Sequence, residues 1–102
     1  MTRVSTPWGK ADSVTKVAPG IAFVSTPRHG GYRVSKMLAE NEIPKIQRDK
    51  AAIFQSGYYW FEEDCAWSIV ALNFPQYFER AGNDLIIRTV NRWFPSLVGG
   101  AS

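Results

Sequence analysis

The sequence predicts an α+β fold in which a small antiparallel sheet packs against two main helices. Three observations lead to this prediction. Segments rich in β-forming residues flank a connection that contains proline and glycine. The stretch 66–72 is apolar nearly all round, and residues 84–93 carry apolar side chains at helical spacing. A chain of 102 residues is expected to form a single domain, residues 1–102.

The predicted sheet consists of a hairpin and a candidate third strand. Residues 21–25 are rich in β-formers, and residues 32–35 alternate in polarity. The six residues 26–31 between them include two glycines, so an antiparallel hairpin with His29 near its tip is the simplest interpretation. The compact aromatic run at residues 58–61 is the candidate third strand.

Shorter signals order the rest of the N-terminal half. The TPWG sequence at residues 6–9 is typical of a turn, and residues 10–17 are too short and polar for more than one helical turn. Ser35 is a candidate N-cap for a short helix over residues 36–41. Residues 43–55 fit neither the helical nor the strand period.

Two helices are predicted in the C-terminal half. Glu62, Glu63 and Asp64 would form the first turn of one helix, where negative charge complements the helix dipole. The apolar residues that follow indicate that this helix is buried centrally. The second helix begins at Asp84 and has an apolar stripe spaced by 4, 3 and 4 residues, made of Ile86, Val90, Trp93 and Leu97.

Composition favours a small cytosolic protein. Hydrophobic residues make up 45% of the chain, no secretory signal follows Met1, and the single cysteine suits a reducing compartment. Residues 1–60 contain nine Lys and Arg against four Asp and Glu, whereas residues 61–102 contain three against five. This asymmetry would steer an acidic partner or a nucleic acid to one face, although ordinary solvated Lys and Arg are the favoured interpretation.

His29 and Cys65 form a candidate catalytic pair. Cys65 would be the nucleophile, His29 the base, and Asp64 or Glu63 the orienting acid. The segments HGGYRVS and DCAW resemble the permuted papain-like enzymes, including the lecithin–retinol acyltransferase type. That resemblance implies a thiol hydrolase or acyltransferase.

The neighbouring carboxylates argue against this enzyme. Adjacent acidic groups raise the pKa of a thiol, and a cysteine in an apolar helix is more often a small buried hydrophobe. The triplet Glu62-Glu63-Asp64 has other interpretations: a plain helix start, paired carboxylates for acid–base chemistry or a divalent cation, or ion pairs with Arg28 or Arg33. With one histidine and one cysteine, we expect no metal site and no cofactor.

Nucleic-acid binding is a further alternative. Basic residues of the N-terminal half and three tyrosines would suit phosphate contacts and base stacking. No known nucleic-acid-binding fingerprint is present. The residues concerned are Arg28, Arg33, Lys36, Lys45, Arg48 and Lys50 with Tyr32, Tyr58 and Tyr59.

Three segments together carry a more specific resemblance. Residues 6–9 (TPWG), 25–35 (STPRHGGYRVS) and 62–67 (EEDCAW) resemble an uncharacterised domain of proteobacterial phage and plasmid proteins. Val34 stands where that domain is expected to have leucine, and the resemblance extends to about Pro75. It implies a mobile genetic element and a bacterial host cytosol, but no established activity.

Small proteins of such elements often bind a host protein and block it. We therefore expect a protein-binding module without a membrane partner, plausibly an inhibitor of a host defence system such as CRISPR or restriction, rather than an enzyme. The expected contact surface is the hairpin tip, because binding residues concentrate on loops held by a rigid scaffold. Its residues are Arg28, His29, Gly30, Gly31, Tyr32 and Arg33.

Overall fold

The computed structural model describes residues 4–97 and shows an α+β fold, which confirms the predicted class. Its strands are Ser5–Thr6 (β1), Gly9–Lys10 (β2), Ser13–Ala18 (β3), Ile21–Ser25 (β4), Gly30–Ser35 (β5), Ile53–Gln55 (β6) and Tyr58–Glu62 (β7). β3 to β7 form one antiparallel sheet in the order β3-β4-β5-β7-β6, and β1 pairs with β2 separately. The sheet is therefore larger than predicted.

The predicted hairpin lies at the centre of this sheet. β4 has the predicted bounds, but β5 begins at Gly30, so the connection shortens to residues 26–29. β7 pairs with the free edge of β5, with Phe61 opposite Tyr32, which confirms the candidate third strand.

The sequence did not predict the two edge strands of the sheet, β3 and β6. The expectation of at most one helical turn over residues 10–17 is wrong, because β3 pairs along β4 with Val14 opposite Val24. An edge strand that is exposed along most of its length shows no clear alternation of burial. β6 has only three residues and depends on pairing with β7.

The described residues form four α-helices where two main helices were predicted. They are Lys36–Glu42 (α1), Lys45–Ala51 (α2), Trp67–Asn73 (α3) and Gly82–Trp93 (α4), with 3-10 turns at Pro75–Tyr77 and Pro95–Leu97. Ser35 caps α1 as predicted, since its hydroxyl accepts a hydrogen bond from the Leu38 N–H at 3.3 Å. Across residues 4–97, none of these helices has the length and apolar character needed to cross a bilayer.

The main core lies between the helices and one side of the sheet, which we call the first face. The first face presents Ile21, Val34 and Phe61. α3 is buried centrally, as predicted, through Ser68, Ile69, Val70 and Ala71. α4 packs through Ile86 and Val90.

Two helix details differ from the predictions. The acidic triplet is not the first turn of a helix: Glu62 ends β7, and α3 starts only at Trp67. Trp93 does not complete the apolar stripe of α4, since 53% of it is exposed. The chain leaves the helix at this point, and Phe94 packs against the core instead.

The opposite side of the sheet, the second face, carries a smaller core. Val24, Trp60 and Ala11 are buried there, with Trp8 and Tyr58 packed against them. Trp8 comes from the turn between β1 and β2, so this small hairpin covers part of the second face.

Candidate functional site

The turn between β4 and β5 is held by one hydroxyl group. Thr26 Oγ1 accepts hydrogen bonds from the N–H groups of Arg28 (3.3 Å) and His29 (3.0 Å) and donates to the His29 carbonyl at 2.7 Å. The Thr26 N–H also donates to that carbonyl. Such side-chain bonds to the local backbone fix a turn without glycine. Arg28 and His29 therefore stand on a rigid tip, and both are exposed.

The two glycines that follow do not form the turn. Gly30 and Gly31 lie in β5, both are buried, and neither is among the residues with positive φ. A Cβ on Gly31 would lie 2.5 Å from the Phe61 carbonyl oxygen and 2.5 Å from Trp8 Cη2. The expectation that these glycines belong to the connection between the strands is wrong. Glycine is needed at position 31 because neighbouring groups approach too closely for any side chain.

The three sequence segments that carry the resemblance meet here. Trp8 of the first segment lies against Gly31 of the second, and its ring meets the edge of Trp60 at a centroid distance of 5.9 Å. Glu63 of the third segment accepts the Gly30 N–H at 2.9 Å through Oε2, and its own N–H donates to the Gly30 carbonyl. The end of the central hairpin is thus built by contacts between segments distant in sequence.

Glu62 organises the turn that leads into α3. Its Oε1 accepts hydrogen bonds from the Cys65 N–H (2.8 Å), the Cys65 thiol (3.3 Å) and the Ala66 N–H (3.4 Å). Burial opposes ionisation of this carboxyl, but the bonds from Cys65 and Ala66 outweigh it and lower the pKa of Glu62. The carboxylate thus receives N–H groups that the start of a helix would otherwise leave unpaired.

The same contact disfavours a reactive cysteine. Burial, together with the hydrogen bond to Glu62 and its negative charge, raises the pKa of the Cys65 thiol to about 11. Asp64 acts in the same direction. This is the effect expected from the sequence, and it leaves the thiol protonated at neutral pH. The thiol hydrogen bond goes to Glu62, and the pairing of Cys65 with His29 stays a hypothesis.

His29 does lie beside the acidic residues. One imidazole nitrogen and one carboxylate oxygen each from Glu62 and Asp64 fall within 4.8 Å of one another. These three side chains are the set within residues 4–97 that could hold a cation, and only Glu62 is partly buried. The ion pairs considered from the sequence do not form, since no ion pair joins the triplet to Arg28 or Arg33 within the described chain.

The six residues expected to form a contact surface do not share one surface. Arg28 and His29 are exposed at the tip, whereas the glycines are buried. Tyr32 lies on the first face against Phe78, with a centroid distance of 5.1 Å. Arg33 lies on the second face, where its guanidinium stacks over another ring. Of the predicted contact residues, therefore, only those of the tip lie together on an exposed surface, next to the acidic residues.

Several of the basic residues considered for nucleic-acid binding have local partners. Lys36 pairs with Glu40 at 3.4 Å, and Lys45 pairs with Asp49 at 2.7 Å. Arg48 donates to the Ile43 carbonyl and stacks over an aromatic ring. These basic side chains interact mainly within α1 and α2, and they do not form a continuous basic stripe on the surface.

Comparison with known protein families agrees with the sequence resemblance at a coarse level. The model of a domain of unknown function, DUF7007, matches residues 1–99. The chain belongs to the DUF7007 family. The DUF7007 match includes α4 and the residues after it, which the three-segment resemblance did not cover. A search of curated proteins and a search of solved structures each found no match.

The sequence alone does not predict two features of this site. Trp8 was placed in a turn without a role, although it covers Gly31. Glu62 was assigned to a helix start, although it ends a strand and accepts bonds from Cys65. A signal for the first was present, since adjacent glycines within a strand pattern indicate close approach by another group.

Proposed function

We propose that this domain is a protein-binding module that contacts its partner through the tip of the central hairpin. The observation that carries the proposal is the rigid display of Arg28 and His29. Their backbone N–H groups are fixed by Thr26, while both side chains are exposed. A side chain on a pre-ordered turn loses little further backbone entropy on binding, and this favours affinity.

The charges around the tip favour a partner with a mixed polar surface. Arg28 is positive, and the exposed Glu63 and Asp64 lie at the end of the neighbouring strand. Oppositely charged groups close together give orientation and partner choice more than raw affinity. The surface is therefore better suited to a specific protein contact than to a nucleic acid, which would meet repulsion from the carboxylates.

The raised pKa of Cys65 counts against the thiol-enzyme alternative. A cysteine nucleophile acts as the thiolate, and the pKa of Cys65 near 11 leaves almost none at neutral pH. The carboxylate that accepts the thiol hydrogen bond, Glu62, is the opposite of the positive environment that activates catalytic cysteines.

The biological setting that we propose is a phage or plasmid protein acting in a bacterial cytosol. Its support is the resemblance of the TPWG, HGG and EEDCAW segments to proteins of such elements. The proposed partner is a host protein, such as a component of a CRISPR or restriction complex, that is blocked when bound.

Site-specific crosslinking tests this proposal. A photo-crosslinking amino acid at position 28 is expected to capture one host protein, and the same amino acid at position 50, on the exposed side of α2, is expected to capture none. Adding His29→Ala to the first protein should abolish the capture. Equal capture from both positions, or no capture from position 28 in any host lysate, would count against the proposal.

A further inference from the structure

The second face of the sheet is only partly covered. Trp8 packs over the part next to Val24 and Trp60. The other part forms an open cavity of about 350 Å³. Residues of β3, β4, β5 and β7 line it, among them Val14, Lys16, Ala22, Arg33, Ser35 and Tyr58.

Two basic side chains line this cavity, and no carboxylate of the described residues lines it. Lys16 lies opposite Ala22, and Ala22 lies opposite Arg33, so the two cations flank the short alanine side chain across three adjacent strands. None of the residues that line the cavity is Asp or Glu. Neither cation has an ion-pair partner in the described part of the chain, unlike Lys36 and Lys45. Two unpaired positive charges on a concave surface attract an anion.

Arg33 is already oriented for such a ligand. Its guanidinium carbon lies 4.5 Å from the centroid of the Tyr58 ring, and the side chain is half-buried. Stacking fixes the plane of the guanidinium while its N–H edge stays free to donate two parallel hydrogen bonds. This edge suits a planar or tetrahedral oxyanion.

We infer that this cavity binds the phosphate group of a small phosphorylated molecule. One phosphate dianion matches the two cations, with Arg33 donating to two of its oxygens and Lys16 supplying the second charge. Val14 and the edge of Tyr58 offer apolar surface for the organic part. The volume of about 350 Å³ lies within the range of small-molecule sites and suits a mononucleotide.

A single-stranded nucleic acid fits this face less well. Such binding relies on aromatic rings with open faces. Trp60 is buried, with 1% of its surface exposed, and the ring of Tyr58 is covered by the Arg33 guanidinium. Within the described residues, Lys36 and Lys45 are paired with carboxylates, which leaves fewer free cations to bind a phosphate backbone.

Titration calorimetry of the purified protein tests this inference. Adenosine monophosphate is expected to bind, inorganic phosphate to bind more weakly and compete with it, and adenosine without phosphate to show no heat, all at matched ionic strength. Lys16→Met should weaken binding about tenfold, the cost of one hydrogen bond to a charged group, and Arg33→Met should weaken it more, because two such bonds are lost. The affinity of Arg33→Lys should fall between those of the wild type and Arg33→Met, because lysine keeps the positive charge but lacks the paired N–H donors of the guanidinium. Lys50→Met, on α2, should bind like the wild type.

The outcomes separate the inference from its competitors. Circular dichroism of each variant must match the wild type, and Arg33→Lys provides the milder change if Arg33→Met unfolds. Unchanged affinity in both Arg33 variants would overturn the inference, as would binding of a single-stranded oligonucleotide without binding of the mononucleotide. Binding of succinate as tightly as phosphate would also overturn the assignment of the ligand as a phosphate.

Discussion

The protonated state of Cys65 gives the sharpest chemical prediction. Burial and the contact with Glu62 raise the pKa of the thiol from 9.0 to about 11. Alkylation follows the thiolate, whose fraction at pH 8 is then lower by about a hundredfold. We expect iodoacetamide to modify the folded protein about a hundredfold more slowly than the protein unfolded in urea. The rate should rise with pH up to about pH 11.

Substituting Glu62→Gln separates charge from burial. The amide can still accept the backbone N–H of Cys65, but it no longer repels a thiolate, so the pKa of Cys65 should fall. Burial is the larger cause and persists, so we expect alkylation at pH 8 to accelerate by only about tenfold. Glu63→Gln is the matched control, because Glu63 bonds to Gly30 and not to the thiol.

The assay is a pH series of alkylation rates, read by mass spectrometry well below the melting temperature of each variant. A wild-type thiol that reacts at pH 7 as fast as the unfolded one would refute the reasoning from burial and charge. If His29→Ala then slowed that reaction, a Cys–His pair would exist and the thiol-enzyme alternative would replace the proposed binding role.

Three further predictions concern the scaffold of the site, and thermal and urea unfolding measure the stability change in each. Gly31→Ala should destabilise the fold by at least about 2 kcal/mol, because the new Cβ meets backbone atoms that have little freedom to move. Gly30→Ala should cost less, because the nearest contact of its Cβ is the movable ring end of Phe23 at 3.0 Å. Equal losses would show that close approach is not the reason for glycine at position 31. Thr26→Val keeps the side-chain shape but removes the hydroxyl that holds the tip. We expect the free energy of unfolding to fall by about 1–2 kcal/mol and the amide of His29 to exchange faster. Unchanged amide exchange would contradict the rigid tip. Ser35→Ala removes the cap of α1 and should cost about 1 kcal/mol, and a neutral result would mean that the 3.3 Å bond to Leu38 contributes nothing.

Local sequence rules predicted the elements whose signals are local. The strand at residues 21–25, the Ser35 cap and the buried character of α3 each follow from residues adjacent in the chain. β3 was missed because it lies at the edge of the sheet and is exposed on most positions, so its sequence carries little polarity contrast. β6 forms only through its pairing with β7.

The sequence predicted some members of the candidate site but not its construction. His29 does lie beside Glu62 and Asp64. The positions of Gly31 and Glu62 depend on Trp8 and on the partner strand, which lie far away in sequence. A local rule reads a glycine pair as flexible and an acidic run as a helix start, and in both cases a tertiary contact decides otherwise.

The last prediction follows from how the tip is built. The fold uses the backbone of His29, through its N–H and carbonyl bonds to Thr26, while its imidazole is exposed. His29→Ala should therefore change the free energy of unfolding by no more than about 0.5 kcal/mol, as is usual for surface positions. If the proposed binding role is correct, the same variant loses its partner. If the variant loses partner binding while its free energy of unfolding is unchanged, the imidazole acts in recognition. If the free energy of unfolding falls as well, His29 is part of the scaffold, like Gly31.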